Sequence, residues 1–141
     1  MPRTTWLASM LRCGDTFLTG DGDEDNFHLW IVITPPSEGE VVTVCVVTAH
    51  KRSERLVVLD AGDHPFIKHE SVIAYFYSKI RAVADIEAAI QSGLAKAREP
   101  VSDAILKRVQ SGLVDSDFTP NAVRRYFTSL APASDAAQNS R

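Results

Sequence analysis

Hydrophobic residues recur along this chain with two periods, near two in its first eighty residues and near 3.6 after that. The densest run is Val41–Thr48, which is β-branched at every position except Cys45. Such side chains are stiff at χ1 and pack well on a pleated surface. Val42, Val44 and Val46 fall on one face, and Val41, Cys45 and Val47 on the other. A strand apolar on both faces predicts a central position with cover on each side. Phe27–Ile33 has the same character, Leu29, Ile31 and Ile33 alternating with His28, Trp30 and Val32. Two prolines in Thr34–Gly39 interrupt the apolar pattern, since proline cannot donate to a ladder, and predict a hairpin between these two strands. Shorter runs at Thr16–Thr19, Leu56–Leu59 and Ser71–Tyr77 predict three further strands, and Ile80–Val83 a sixth.

Beyond Val83 the period lengthens. Asp85 is the predicted cap of a short helix carrying Ile86, Ala89 and Ile90. Pro100 or Ser102 starts a second, with Val101, Ile105 and Val109 spaced by four. Thr119-Pro120 reads as a capping hydroxyl followed by proline in the first turn of a third helix, which carries Val123, Phe127 and Leu130. Ile90-Gln91-Ser92-Gly93-Leu94 and Val109-Gln110-Ser111-Gly112-Leu113 echo one another, and both glycines are expected at left-handed C′ positions closing helices. The expected fold is therefore α+β, a small antiparallel barrel or bent sheet of five or six strands followed by two or three helices. One domain is expected over residues 1–130, β-rich over 13–83 and helical over 84–130. The Ala- and Ser-rich residues 131–141 are expected as a disordered tail.

A chain of 141 residues buries roughly 70% of its unfolded surface and needs no disulfide staples. Its two cysteines, Cys13 and Cys45, lack metal-ligand spacing, and a reduced cytoplasmic setting is the default expectation. No apolar run reaches the roughly 20 residues of a membrane span. The net charge is −3, and the first sixty residues hold five Lys/Arg against nine Asp/Glu. That balance argues against a general nucleic-acid coat and leaves room for a local cationic site. Asp21, Asp23 and Asp25 alternate like the start of a calcium loop, but Asn26 replaces the sixth-position Gly and Val32 the final Glu. A solvated loop is the expectation there, with neither metal nor cofactor.

Four histidines are the main chemical constellation. In an antiparallel hairpin, His28 at the start of one strand lies near Thr48 and His50 at the end of the other, with Lys51 and Arg52 beyond. Two imidazoles and a cation suit metal-free RNA cleavage. One ring takes the 2′-hydroxyl proton, the other protonates the leaving oxygen, and the cation stabilises the crowded phosphate. Asp60–Pro65 is expected as a turn, with Phe66 plugging the sheet.

Gly14-Asp15-Thr16-Phe17-Leu18, His28-Leu29-Trp30-Ile31-Val32-Ile33 and Val44-Cys45-Val46-Val47-Thr48 together resemble the strands of the PemK/MazF family of plasmid-maintenance toxins. The resemblance covers about Cys13–Val83. It implies a small SH3-like barrel with appended helices, cleavage of single-stranded RNA, and restraint by an antitoxin. It sets Thr48 at the family's catalytic hydroxyl and His28 where the catalytic Arg usually stands. The usual Pro after that Arg is missing, and no Ser follows Thr48. The sequence thus yields two functional expectations. One is a toxin-like endoribonuclease using His28 and Thr48, assisted by His50 or Arg52. The other is a non-catalytic SH3-like module that binds a protein. Either could form a homodimer through edge strands or exposed sheet faces.

Overall fold

The computed structural model describes residues 11–20 and 27–139, the last nine by backbone alone. The acidic stretch 21–26, with its calcium-loop reading, and the lead-in containing Trp6, Leu7 and Met10 lie outside the described residues. Six strands form one curled antiparallel sheet: β1 (Thr16–Thr19), β2 (His28–Val32), β3 (Glu40–Thr48), β4 (Val58–Leu59), β5 (Ser71–Ala82) and β6 (Ala95–Arg98). Among the described residues three helices accompany the sheet: α1 (Val83–Ser92), α2 (Asp103–Asp115) and α3 (Asn121–Asn139). The spatial order is β4-β5-β3-β2-β1-β6, so β3 is central as its composition predicts.

The alternation sorts the core into two layers. Leu29, Ile31 and Ile33 join Val42, Val44 and Val46 beneath Ile105, Val109 and Leu113 of α2 and Val123 and Phe127 of α3. On the opposite face Trp30 and Val32 join Phe17, Val41 and Cys45 beneath Ile86 of α1. Burial pushes the Cys45 thiol up to about 12, which keeps it an inert, neutral hydrophobe. β2 and β3 form the expected hairpin, registered Leu29↔Val46 and Ile31↔Val44. Its two-residue loop, Glu38-Gly39, has both φ values positive (51° and 80°). This is the primed-turn geometry that matches strand twist.

Several elements differ from expectation. Ile80–Val83 is no separate strand; Ser71–Ala82 runs through as β5. The register shifts between Thr43↔Lys79 and Cys45↔Ala74, leaving Tyr75–Ser78 opposite the single residue Val44. This wide bulge is what the sequence presents as a break between two strands, and it turns the consecutive aromatics Phe76 and Tyr77 outward, 64% and 52% exposed. Ala95–Arg98, too short and polar to read as a strand, becomes β6 by pairing with β1 at the sheet edge.

Helix α1 begins at Val83, ahead of the predicted cap, with Asp85 in its first turn and no side chain capping it. Ser102 does cap α2, accepting from Ile105 N at 3.2 Å. Thr119 instead donates its hydroxyl to Leu113 O (2.7 Å), closing the end of α2. Gly93 takes the expected left-handed C′ position (φ 87°), but Gly112 lies inside α2, buried against Tyr75. Helix α3 extends to Asn139, into the stretch expected as a tail.

Candidate functional site

The hairpin register decides which histidines can meet. Strand β2 starts at His28 and β3 ends at Thr48, so both lie at the same end of the sheet. Continuing the Leu29↔Val46 register sets His28 opposite Val47, with Thr48 one residue further on. Strand alternation alone would send His28 and Thr48 to opposite faces. Both nevertheless line one cleft at this end of the sheet, where the β2–β3 pairing ends at Leu29↔Val46. This cleft, about 360 Å³, is lined by His28 and Thr48 together with Lys68, His69 and Ser71, and is walled by Phe27 and Phe66. Thr48, Lys68 and His69 are exposed, and His28 is half-buried.

Lys68 and His69 come from the segment leading into β5, which pairs with β3 through Thr48↔Ser71. The backbone turns there by local bonds. Ser71 Oγ donates to His69 O (2.9 Å), and Ala49 N donates to Glu70 O (3.0 Å). Arg55 and Glu70 form a half-exposed surface ion pair at 3.0 Å, which is worth little in stability. Sequence reasoning counts His69 among the four histidines without bringing it to this end of the sheet, and it overlooks Lys68. The missing link is the β3–β5 pairing, which no local pattern specifies.

His50 and Arg52 line a different cleft of about 400 Å³, next to exposed Phe76, Tyr77 and Phe118. His50 is absorbed into a turn: its N donates to Ser53 Oγ (2.9 Å), while Arg52 N donates to its Nδ1 (3.2 Å). Accepting at Nδ1 leaves Nε2 to carry the proton of the neutral ring. The four expected site residues thus divide into His28 with Thr48 and His50 with Arg52. The two clefts share only Val47.

His64 is a structural histidine. It is 2% exposed, its Nδ1 accepts from Phe66 N (3.0 Å), and its Nε2 donates to Glu99 O (2.6 Å). The turn before it is closed by Asp63 Oδ2, which accepts from Asp60 N (2.8 Å), with Gly62 at φ 96°. This is the turn-stabilising role expected of Asp60–Asp63. It fixes Phe66, and so one wall of the His28 cleft. Replacing His64 by Leu comes close to its volume but leaves Phe66 N–H unpaired. Thermal melts are expected to report a loss of about 2 kcal/mol.

Two imidazoles, an ammonium and a hydroxyl in one open cleft can move protons and stabilise an anionic intermediate. Among the described residues no group of three or more His, Cys, Asp or Glu is placed to hold a metal ion. No helix of the described residues is long and apolar enough to cross a membrane.

Neither a protein-family model nor a curated protein matches the chain. Its fold is similar to a chain in the Form-II crystal structure of MazE–MazF from Deinococcus radiodurans. The TM-score is 0.50 at 13% identity, over 74% of this chain and 92% of that one. The Form-III crystal structure from the same organism gives 0.49 at 11% identity, over 74% and 94%. At such identity the likeness is one of fold alone, and at that level it agrees with the resemblance carried by the strands.

Proposed function

We propose that this protein is a toxin-like endoribonuclease that cleaves single-stranded RNA without a metal, within a toxin–antitoxin type of system. The observation that carries the reading is the sharing of one open cleft by His28, Thr48, Lys68 and His69. His28 and His69 serve as general base and general acid. Lys68 stabilises the charge that develops on the phosphate, and Thr48 orients it by hydrogen bonding. Thr48 and His28 are also the positions that the strand resemblance assigns to catalysis. The likeness of fold to a MazE–MazF structure supports an antitoxin-like protein as partner. His50 and Arg52, in the neighbouring cleft, contact the RNA strand outside the reacting phosphate.

The test is incubation of a long single-stranded RNA with purified protein in EDTA, beside His28→Ala protein prepared identically. Discrete fragments from the wild type alone support the enzyme. Intact RNA from both, or equal cleavage by both, overturns the assignment of His28. A second reading, a non-catalytic protein-binding module, draws on the exposed Phe76, Tyr77 and Phe118. It predicts intact RNA.

A further inference from the structure

Strand β5 is flanked by two residues of β4, through Val58↔Val72 and Leu59↔Ser71. Beyond Ile73, whose N donates to Val57 O (3.3 Å), no described strand pairs with its outer edge. Here the bulge presents Phe76 and Tyr77, whose rings meet edge to face at 5.2 Å and 81°. Phe118 borders the same cleft and is 57% exposed. Three exposed aromatic side chains around one mainly apolar cleft are a costly way to cover a surface unless something stacks on them.

Cations bracket these aromatics. At one end, Arg52 lines the cleft and is exposed. Further along β5, Lys79 lies 5.9 Å and Arg81 4.4 Å from the centre of the Trp30 ring. Arg81 is half-buried, and its Nε donates to Thr43 Oγ1 (3.0 Å). The ion pairs formed among the described residues are Arg55–Glu70 and Arg98–Glu99, so no carboxylate there pairs with Arg52, Lys79 or Arg81. Of the nearby acids, Glu54 Oε2 accepts from Ser116 Oγ (2.6 Å), and Asp85 lines, with Lys79 and Arg81, a third cleft that shares no lining residue with the aromatic one. A guanidinium that gives up part of its hydration without a counter-ion invites an anion from solution.

We infer that the outer run of β5 is a track for single-stranded nucleic acid. Bases stack on Phe76, Tyr77 and Phe118, and phosphates meet Arg52 at one end and Lys79 and Arg81 at the other. Aromatic faces with cations at either end suit a single strand, because every base offers a π-face and every linkage a charge. A protein strand added to this edge would use the backbone groups and the aromatics, but would leave these cations unmatched. Because Tyr75–Ser78 stand opposite Val44 alone, the stretch from the bulge to Arg81 advances only as far as β3 does from Val44 to Val41, roughly 10 Å at 3.3 Å per residue, room for one or two nucleotides. The loop 48–53 links the two clefts, with Thr48 lining the first and Arg52 the second. A strand on the track therefore leads toward His28. The inference rests on the ribonuclease reading in naming RNA as that strand.

The test separates the two. Fluorescence anisotropy in EDTA, with a labelled 2′-O-methyl single-stranded oligonucleotide that cannot be cleaved through its 2′-oxygen, reads binding without chemistry. The full chain is expected to bind. Phe76→Ala/Tyr77→Ala, which removes only exposed rings, is expected to weaken binding about tenfold or more. Lys79→Gln is expected to flatten the salt dependence between about 50 and 200 mM by roughly one phosphate contact. Unchanged affinity in the double variant, or no binding by wild type at the lower salt, overturns the track whether or not the protein cleaves RNA. Conversion of a dimer to a monomer by the double variant in light scattering, with RNA affinity intact, also overturns it and makes the face a contact between copies. Aromatic-dependent binding by a protein that never cleaves upholds the track and removes the catalytic assignment.

Discussion

Gly112→Ala is expected to destabilise the protein by about 3 kcal/mol, seen as a lower urea midpoint at unchanged slope. A Cβ at this position would sit 2.2 Å from Tyr75 Oη, 2.9 Å from Tyr75 Cζ and 2.8 Å from Val57 Cγ2. Tyr75 is fully buried, and its hydroxyl donates to Val109 O at 2.7 Å. Burial also pushes its phenol well above the ordinary range, so it stays a donor at every pH of interest. The ring cannot retreat without breaking that bond, and a stranded buried hydroxyl costs about 1–3 kcal/mol. Overpacking adds about 1–3 kcal/mol. Alanine's better helix propensity returns about 1 kcal/mol. The control is Gly93→Ala, where no atom lies within 4 Å of the added carbon and the positive φ of 87° is the only strain. That change is expected to cost about 1 kcal/mol. Equal losses at the two glycines would show that α2 does not pack on β5 as closely as these distances require. Combining Gly112→Ala with Tyr75→Phe should give less than the sum of the two losses, since removing the hydroxyl relieves the clash.

The two glycines show where sequence reasoning stops. Both sit in Gln-Ser-Gly-Leu, and a local rule assigns them one role, but only Gly93 ends a helix. Whether a helix continues past a glycine depends on what packs against it, and for Gly112 that is a tyrosine 37 positions earlier. The same limit explains β5. The polar Ser78 and Lys79 look like a strand break, whereas the chain stays paired on either side of a bulge that three extra residues create. Strands β2 and β3 are legible because both faces are buried, so each reads as a near-continuous apolar run bounded by turn residues. The candidate site is half legible for a related reason. The hairpin brings His28 and Thr48 to one end of the sheet, and a hairpin is local. Lys68 and His69 arrive through a pairing of β3 with β5 that skips β4, and Thr119 spends its hydroxyl on α2 instead of starting α3. Each of those depends on contacts that no window of sequence contains.

Under the proposed function, His28→Ala and His69→Ala are each expected to lower the rate of RNA cleavage at least about a hundredfold, the usual worth of a positioned acid or base. Single-turnover cleavage of a short labelled RNA in EDTA measures this directly. If the two rings serve one step as a pair, the double variant should be scarcely worse than either single one. Lys68→Ala should cost a similar factor by removing charge stabilisation, and Lys68→Arg should recover much of it because the positive charge returns. His50→Ala should cost far less. Its Nδ1 is held by Arg52 N in a turn and its ring lines the neighbouring cleft, so it reaches the strand only outside the scissile phosphate. The ordering therefore discriminates between the hairpin-only site, in which His28 works with His50, and the site completed by β5, in which it works with His69. Greater loss at His50 than at His69 would favour the former and require the 48–53 loop to rearrange when RNA binds. Equal and near-complete loss at His28 and His69, with His50 nearly silent, would mean that the pairing of Thr48 with Ser71 assembles the active centre.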